Sequence, residues 1–207
     1  MHYIKHLLLF IIITGSLGIQ AKDNPSDTQQ LGALLEPITS LSAEFEQRTI
    51  DANGIEVQRA SGLFQIAQPT NLRWTVTDPM PQQVISDGQT LWLYDEDLEQ
   101  VIVQPFESNF DATPALLFSG DLQQLDLTYH VSQISKGSFE LRPKQNDSLF
   151  ASIQLHFDNT LPRLIILTDN LGQTTKITLA DVSLNPAISA DQFTFQIPDH
   201  IDVIRND

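Results

Sequence analysis

Between Gln82 and Gln104 the chain reads QQVISDGQTLWLYDEDLEQVIVQ, and its β-branched, aliphatic and aromatic side chains group in three short runs whose alternate positions take opposite faces. A period of two is the mark of extended strands. Asp87-Gly88 separates the first two runs and an acidic stretch from Asp95 to Glu99 separates the last two. The pattern predicts an antiparallel meander whose first hairpin closes through a type I′ turn, with positive φ at both central residues. Leu91 and Leu93 alternate with Trp92 and Tyr94, and Val101 and Val103 flank Ile102, so both faces of the ribbon are apolar. A sheet with one wet face does not look like this; helices, a second sheet or a ligand must cover the other side.

The flanking chain extends the pattern. SDTQQLGALLEPI, starting at Ser26, places a Ser cap three residues before Gln29 and sets Leu31, Leu34, Leu35 and Ile38 at helical spacing. The predicted helix ends near Pro37, which breaks helical hydrogen bonding and biases Glu36 away from the α region. Strand-like runs follow at Leu41 to Ile50, Ile55 to Ala67 and Asn71 to Thr77, with a turn at Asp51 to Gly54. Phe64, Ile66 and Gln68 share one face, as do Leu72, Trp74 and Val76, while Arg73 and Thr75 take the other. Gly62 marks a bend or bulge.

Beyond the meander, Thr113 to Gly120 has a helix-start pair, a short apolar turn and a glycine stop, which predicts one short helix. A second irregular turn is expected through Asp121 to Asp126. Five more strands are expected at Leu127 to Ser135, Ser138 to Leu141, Leu149 to Phe157, Leu161 to Thr168 and Gln173 to Val182, then a short extended piece from Phe193 to Pro198.

The tally predicts a mainly β fold. About eleven antiparallel strands must curl into a strongly twisted, incompletely closed β-barrel, with the short α-helices set on it as a lid or plug. Such a barrel is wider than its own side chains fill, so an apolar inner face can enclose a ligand cavity.

Composition narrows the function class. A short n-region with Lys5, an apolar run from Leu7 to Ile13 and a small residue at Ala21 predict a secretory signal peptide over residues 1–21, too short for a membrane span and expected to be cleaved. Residues 22–207 then form a single domain. The chain has no cysteine, which removes disulfides, thiolate metal sites, a Cys nucleophile and an acylated N-terminal Cys. Without Lys5 the 26 acidic residues face 10 basic ones, a formal charge of −16. Nucleic acid and anionic membranes are therefore poor partners, and a basic protein surface is a better one. No cofactor or metal is expected.

Enzyme patterns are missing. His130, His156 and His200 stand at no metal-ligand spacing, and neither G-x-S-x-G, H-E-x-x-H nor a phosphate-binding G-x-x-x-x-G-K-[ST] loop occurs. The Asp95 to Glu99 cluster lacks the alternating ligand spacing and turn glycine of an EF-hand and reads as a solvated turn. Trp92 and Tyr94 could stack on a sugar or base, but strand aromatics more often pack a sheet.

Several of these runs together carry a resemblance: Leu72-Arg73-Trp74, the stretch from Val84 to Gly88, Thr90 to Asp95, Leu98 to Gln100, Thr113 to Leu117, Ser119 to Asp121, Gly172-Gln173, Phe193 to Phe195 and Ile201 to Ile204. In this order the chain resembles the LolA family of periplasmic outer-membrane lipoprotein carriers. The resemblance implies an open barrel whose interior holds the acyl chains of a lipoprotein crossing the periplasm. It implies loading by an inner-membrane ABC transporter complex, LolCDE, and delivery to an outer-membrane receptor, LolB. That receptor is itself a lipoprotein, so the missing Cys favours carrier over receptor, and a monomer is expected. Resemblance and periodicity together place Phe64, Ile66, Leu72, Trp74 and Val84 on the cavity face and Leu116, Leu117 and Phe118 on the lid. Relatives commonly carry an Arg before the proline of the second-to-third strand turn, where it is thought to latch the lid; here Gln68 stands at that position. The alternative is a lipid- or lipoprotein-sensing regulatory domain of the same fold, although the chain ends at Asp207 without the second domain such regulators usually bring.

Overall fold

A computed structural model of the chain describes residues 25–106, 117–118, 122–145 and 148–206. The predicted signal peptide and Leu116 lie outside the described residues, as does most of the predicted helix from Thr113 to Gly120. Helix α1 (Asp27–Leu35) starts on the expected capping box: Ser26 Oγ accepts from Gln29 N, and Gln29 Oε1 accepts from Ser26 N. It buries Leu31 and Leu35.

Twelve strands follow among the described residues: β1 (Ser40–Ile50), β2 (Glu56–Ala67), β3 (Asn71–Asp78), β4 (Gln82–Asp87), β5 (Thr90–Asp95), β6 (Gln100–Pro105), β7 (Tyr129–Ser135), β8 (Ser138–Pro143), β9 (Phe150–Asp158), β10 (Leu161–Asp169), β11 (Thr174–Leu184) and β12 (Asp202–Arg205). A second helix, α2 (Leu122–Thr128), precedes β7. All twelve belong to one sheet in the order β12-β6-β5-β4-β3-β2-β1-β11-β10-β9-β8-β7. The sheet curls with both edges left apart, and the expected incompletely closed barrel is the architecture found.

Cross-strand register shows which residues share the inner face. Leu41 pairs with Ile66, Ile66 with Leu72 and Leu72 with Ser86; Ala43 pairs with Phe64, Phe64 with Trp74, Trp74 with Val84, Val84 with Leu93 and Leu93 with Ile102. On the other side Ile177 pairs with Ile165, Ile165 with Leu155 and Leu155 with Phe139. Directly paired residues point to one face, so these rows form a continuous apolar lining. The bend expected at Gly62 is a register shift between β2 and β3, and a Cβ at Gly62 would lie 1.8 Å from the Thr75 carbonyl oxygen. Only glycine fits there.

Four details depart from the sequence reading. Positive φ at the first hairpin is confined to Gly88 (86°), so the turn is not type I′; the Asp87 carboxylate accepts from Gln89 N and Thr90 N instead and holds the loop. Leu127 and Thr128 belong to α2, whose inward Leu125 is fully buried, and the strand starts only at Tyr129. Phe193 closes a 3₁₀ turn (Ala190–Phe193), and the terminal strand forms later, at β12. That strand runs parallel to β6, so the sheet is not wholly antiparallel.

Candidate ligand cavity

The cover of the second meander face comes from the chain's own end. Phe195, Ile197 and Ile201 pack on Trp92, Tyr94, Val101 and Val103, with Val101 fully buried. Tyr94 and Phe195 have ring centroids 5.0 Å apart. Arg73, on the outer face as strand alternation requires, donates from one guanidinium nitrogen to the Gln192 carbonyl (2.9 Å) and from another to Gln83 Oε1 (2.7 Å), tying this strap down. With the outer face closed in this way, the inner face of β3 to β6 is left for something else.

On that inner face the expected site residues divide. Phe64, Ile66 and Leu72 are fully buried, whereas Trp74 and Val84 are half-buried. Leu117 and Phe118 are buried in the same core, the Phe118 ring 6.0 Å from that of Phe64. Trp74 and Val84 line a recess of about 170 Å³, together with Ala60, Val76, Pro79 and Met80 and the polar Gln47, Gln58, Arg59 and Gln82. Pockets that enclose small ligands run to about 300–1,000 Å³, so the recess is smaller than such a pocket. One residue that sequence reasoning passed over is Phe45, whose ring lies 3.9 Å from that of Trp74. The alternation of Leu41, Ala43 and Phe45 was the signal that could have found it.

The side opposite is fastened differently. Helix α1 lies against β7, where Asp27 Oδ2 accepts from Gln133 N at 2.9 Å. Its other end turns into β1 through a corner held by Asn185: Oδ1 accepts from Thr39 N, Thr39 Oγ1 and Ser40 N, and Nδ2 donates to the Pro37 carbonyl. Gln68 acts at this same corner, where its Nε2 donates to the Ile38 carbonyl at 2.7 Å. A second groove of about 550 Å³ opens between α1 and the β7–β8 and β9–β10 turns, over Ala33, Leu34, Phe139 and Phe157.

No charged side chain enters the described inner-face core, and among the described residues no group of His, Cys, Asp or Glu is arranged to hold a metal ion. Such a lining can do one thing well: take hydrocarbon out of water.

The comparisons agree with that chemistry. The family model described as "Outer membrane lipoprotein carrier protein LolA" matches residues 36–196. An outer-membrane lipoprotein carrier protein of Chromohalobacter salexigens is 40% identical over 200 residues, covering 95% of each chain. Its counterpart in Pseudomonas paraeruginosa is 35% identical over 208 residues, covering 99% of this chain and 100% of the relative. Among solved structures, a LolA-superfamily protein from Nitrosomonas europaea superposes with a TM-score of 0.52 at 15% identity, over 83% of this chain and 99% of its own, a likeness of fold alone.

Proposed function

The chain belongs to the LolA family of outer-membrane lipoprotein carrier proteins, and we propose that it carries lipoproteins with their acyl chains held on the inner face of β3 to β6. The observation that supports this reading most is the half-buried apolar row of Trp74, Val76, Val84, Leu93 and Ile102. Each exposed CH₂ of an acyl chain costs about 0.8 kcal/mol in water, so a carrier must cover the chains, and this row is apolar surface with room for a partner. Phe64, Ile66 and Leu72 form the floor of the site. Leu117 and Phe118 act as its lid, giving up their place in the core when cargo enters, and Leu116, outside the described residues, is assigned to the same lid.

The protein works in the periplasm as a monomer, after removal of residues 1–21, and does no chemistry of its own. LolCDE loads it and LolB receives the cargo. Gln68 serves as the latch position through the α1–β1 corner. A neutral amide donor contributes about 0.5–1.5 kcal/mol where a charged one contributes about 1.5–3, so Gln68 holds closure less firmly than an Arg would.

The test is a release assay. Inner-membrane vesicles containing LolCDE and a radiolabelled lipoprotein are supplied with ATP and the mature protein. Soluble lipoprotein in a one-to-one complex with the carrier supports the proposal; lipoprotein that stays in the vesicles refutes it.

A further inference from the structure

The two rims of the curled sheet differ. One rim collects the β1–β2, β3–β4, β5–β6, β8–β9 and β10–β11 connections and the end of α2 before β7; the other collects the β2–β3, β4–β5, β7–β8 and β9–β10 turns. The five turns and the end of α2 on the first rim each carry an exposed large aliphatic residue, Ile55, Met80, Leu98, Leu149, Leu171 and, on α2, Leu127, whereas the entry to β12 on the same rim carries the buried Ile201. Their exposures run from 54% for Met80 to 86% for Leu171. The four turns of the second rim, Gln68 to Thr70, Gly88-Gln89, Lys136-Gly137 and Asn159-Thr160, carry none. Single exposed aliphatics are ordinary on a protein surface; among the described turns they fall on one rim, with the half-exposed Ile134, two residues before Lys136, beside the other.

Three of these residues are also held by one device. Asp51 Oδ1 accepts from Ile55 N at 2.8 Å, Asp95 Oδ1 from Leu98 N at 3.0 Å and Asp169 Oδ1 from Leu171 N at 2.9 Å. In each turn a carboxylate fixes the backbone of the residue that points its side chain into solvent. Fixing an anchor in advance removes part of the ordering cost of binding. Contacts between neighbouring turns gather the anchors: Asn170 Nδ2 donates to the Ser148 carbonyl, and a Cβ on Gly172 would come 3.5 Å from Ala52 Cβ.

The charges between the anchors state what they meet. Asp51, Asp78, Asp95, Glu96, Asp97, Glu99, Asp126 and Asp169 lie on or beside this rim; of the cations near it, Lys144 is engaged with the Asp126 carbonyl, Arg48 and Arg59 pair with Glu46 and Glu56, and Lys176 lies two residues inside it. An anionic lipid surface is repelled by such a rim, whereas a protein face with Lys and Arg around apolar sockets complements it. We infer that this rim is a docking face for a basic protein partner, with Ile55, Leu98 and Leu171 as its apolar anchors. The inference goes beyond cargo binding and takes from the carrier reading only its probes.

The experiment measures binding of the mature protein to LolCDE in nanodiscs, to LolB without its lipid anchor, and to empty phosphatidylethanolamine nanodiscs. The variant carries Ile55→Ser, Leu98→Ser and Leu171→Ser, with the three aspartates kept; Leu171→Ser alone serves if the triple variant melts early. Expected is a loss of about tenfold or more in affinity for at least one of the two proteins, as truncated anchors produce. Wild-type binding should also weaken as salt rises from about 50 to 300 mM, because screening removes the charge contribution. Unchanged affinity in the variant, no wild-type binding to either protein, or equal wild-type binding to empty nanodiscs overturns the inference. Uptake of an apolar fluorophore reads the cargo site separately, so a failure of the docking face and a failure of the carrier reading fall on different measurements.

Discussion

In β7 to β11 the inner face of the sheet is dry and the outer face is polar, whereas in β3 to β6 both faces hold buried residues and the inner one also carries a half-buried apolar row. Ile153, Leu155, Ile165 and Leu141 are fully buried inward, with Glu140, Arg142, Gln154 and Lys176 outward. In the other half Ile85, Val101 and Val103 are buried outward beneath the C-terminal strap, and Trp74, Val84, Leu93 and Ile102 are only half-buried inward. A sheet needs one packed face to be stable. By packing β3 to β6 from outside with its own terminus, the protein can leave the inner apolar face short of partners without unfolding. On the proposed reading, binding falls to the inner face and part of the stability of the same strands to the outer one.

The largest expected effect comes from crossing faces within one strand. Leu72→Glu places a carboxylate in the fully buried row beside Ile66 and should cost about 4 kcal/mol or more, as an unpaired buried charge does. Arg73→Glu, one residue along, loses the bonds to Gln192 and Gln83 and should cost about 2 kcal/mol. Urea unfolding midpoints read both. Equal losses would break the assignment of faces.

Next comes a pair that separates stability from binding. Phe193→Ala, beneath the strap, should lower stability by about 3–4 kcal/mol and leave the affinity of the folded protein for an apolar probe near wild type. Val84→Ala should cost only about 1 kcal/mol and weaken the probe. A Phe193 variant that loses affinity as much as the Val84 variant, under conditions where both are folded, would show that the two faces are not separate.

The α1 corner gives a smaller effect. Gln68→Ala removes the bond to the Ile38 carbonyl and should speed stopped-flow uptake of the probe; Gln68→Arg should slow it, by up to about tenfold if the gain reaches about 1.4 kcal/mol on the opening barrier. Uptake unaffected by either change would leave closure to apolar contacts alone.

The smallest effect lies on the outer face of the dry half. His156 Nδ1 bonds Ser138 Oγ at 2.9 Å, its buried Nε2 has no partner, and burial lowers its pKa below the ordinary value of 6.5. The unfolded chain then binds the proton more readily than the folded one. The resulting stability is present above about pH 6.5 and is lost as pH falls through the lowered folded value. Thermal melts across that window should show a shallower pH dependence in His156→Gln than in the wild type.

Local periodicity made much of this architecture legible. The Ser26 capping box, the bulge at Gly62 and the alternation that separates Arg73 from Leu72 and Trp74 all act over a few residues, and all stand in the structure. The excess of apolar residues on both faces of the meander was equally plain. What covered the second face was not, because Phe193 to Ile201 reach it from about 100 residues downstream and their short alternation does not say which strands they meet. Four residues of β12 are too few to announce a parallel pairing. The α2 boundary failed because Leu127 and Tyr129 mimic a strand alternation, while Leu125 packs as part of a helix. The inner face was readable as a face; that Phe64 and Leu72 are buried on it while Trp74 and Val84 are half-buried depends on the three-dimensional cover from Phe118 and α1.

The chain holds two tryptophans, Trp74 on the inner face and Trp92 on the outer, and this permits the most direct test of where the acyl chains lie. Trp92→Phe leaves Trp74 as the reporter, and Trp74→Phe leaves Trp92. Each variant is titrated with a triacylated lipopeptide whose chains carry bromine, which quenches tryptophan fluorescence on contact. Strong quenching of Trp74 with Trp92 unaffected is the result expected of acyl chains on the inner face of β3 to β6. Quenching of Trp92 to the same degree, or lipopeptide binding that leaves Trp74 undimmed, would contradict it.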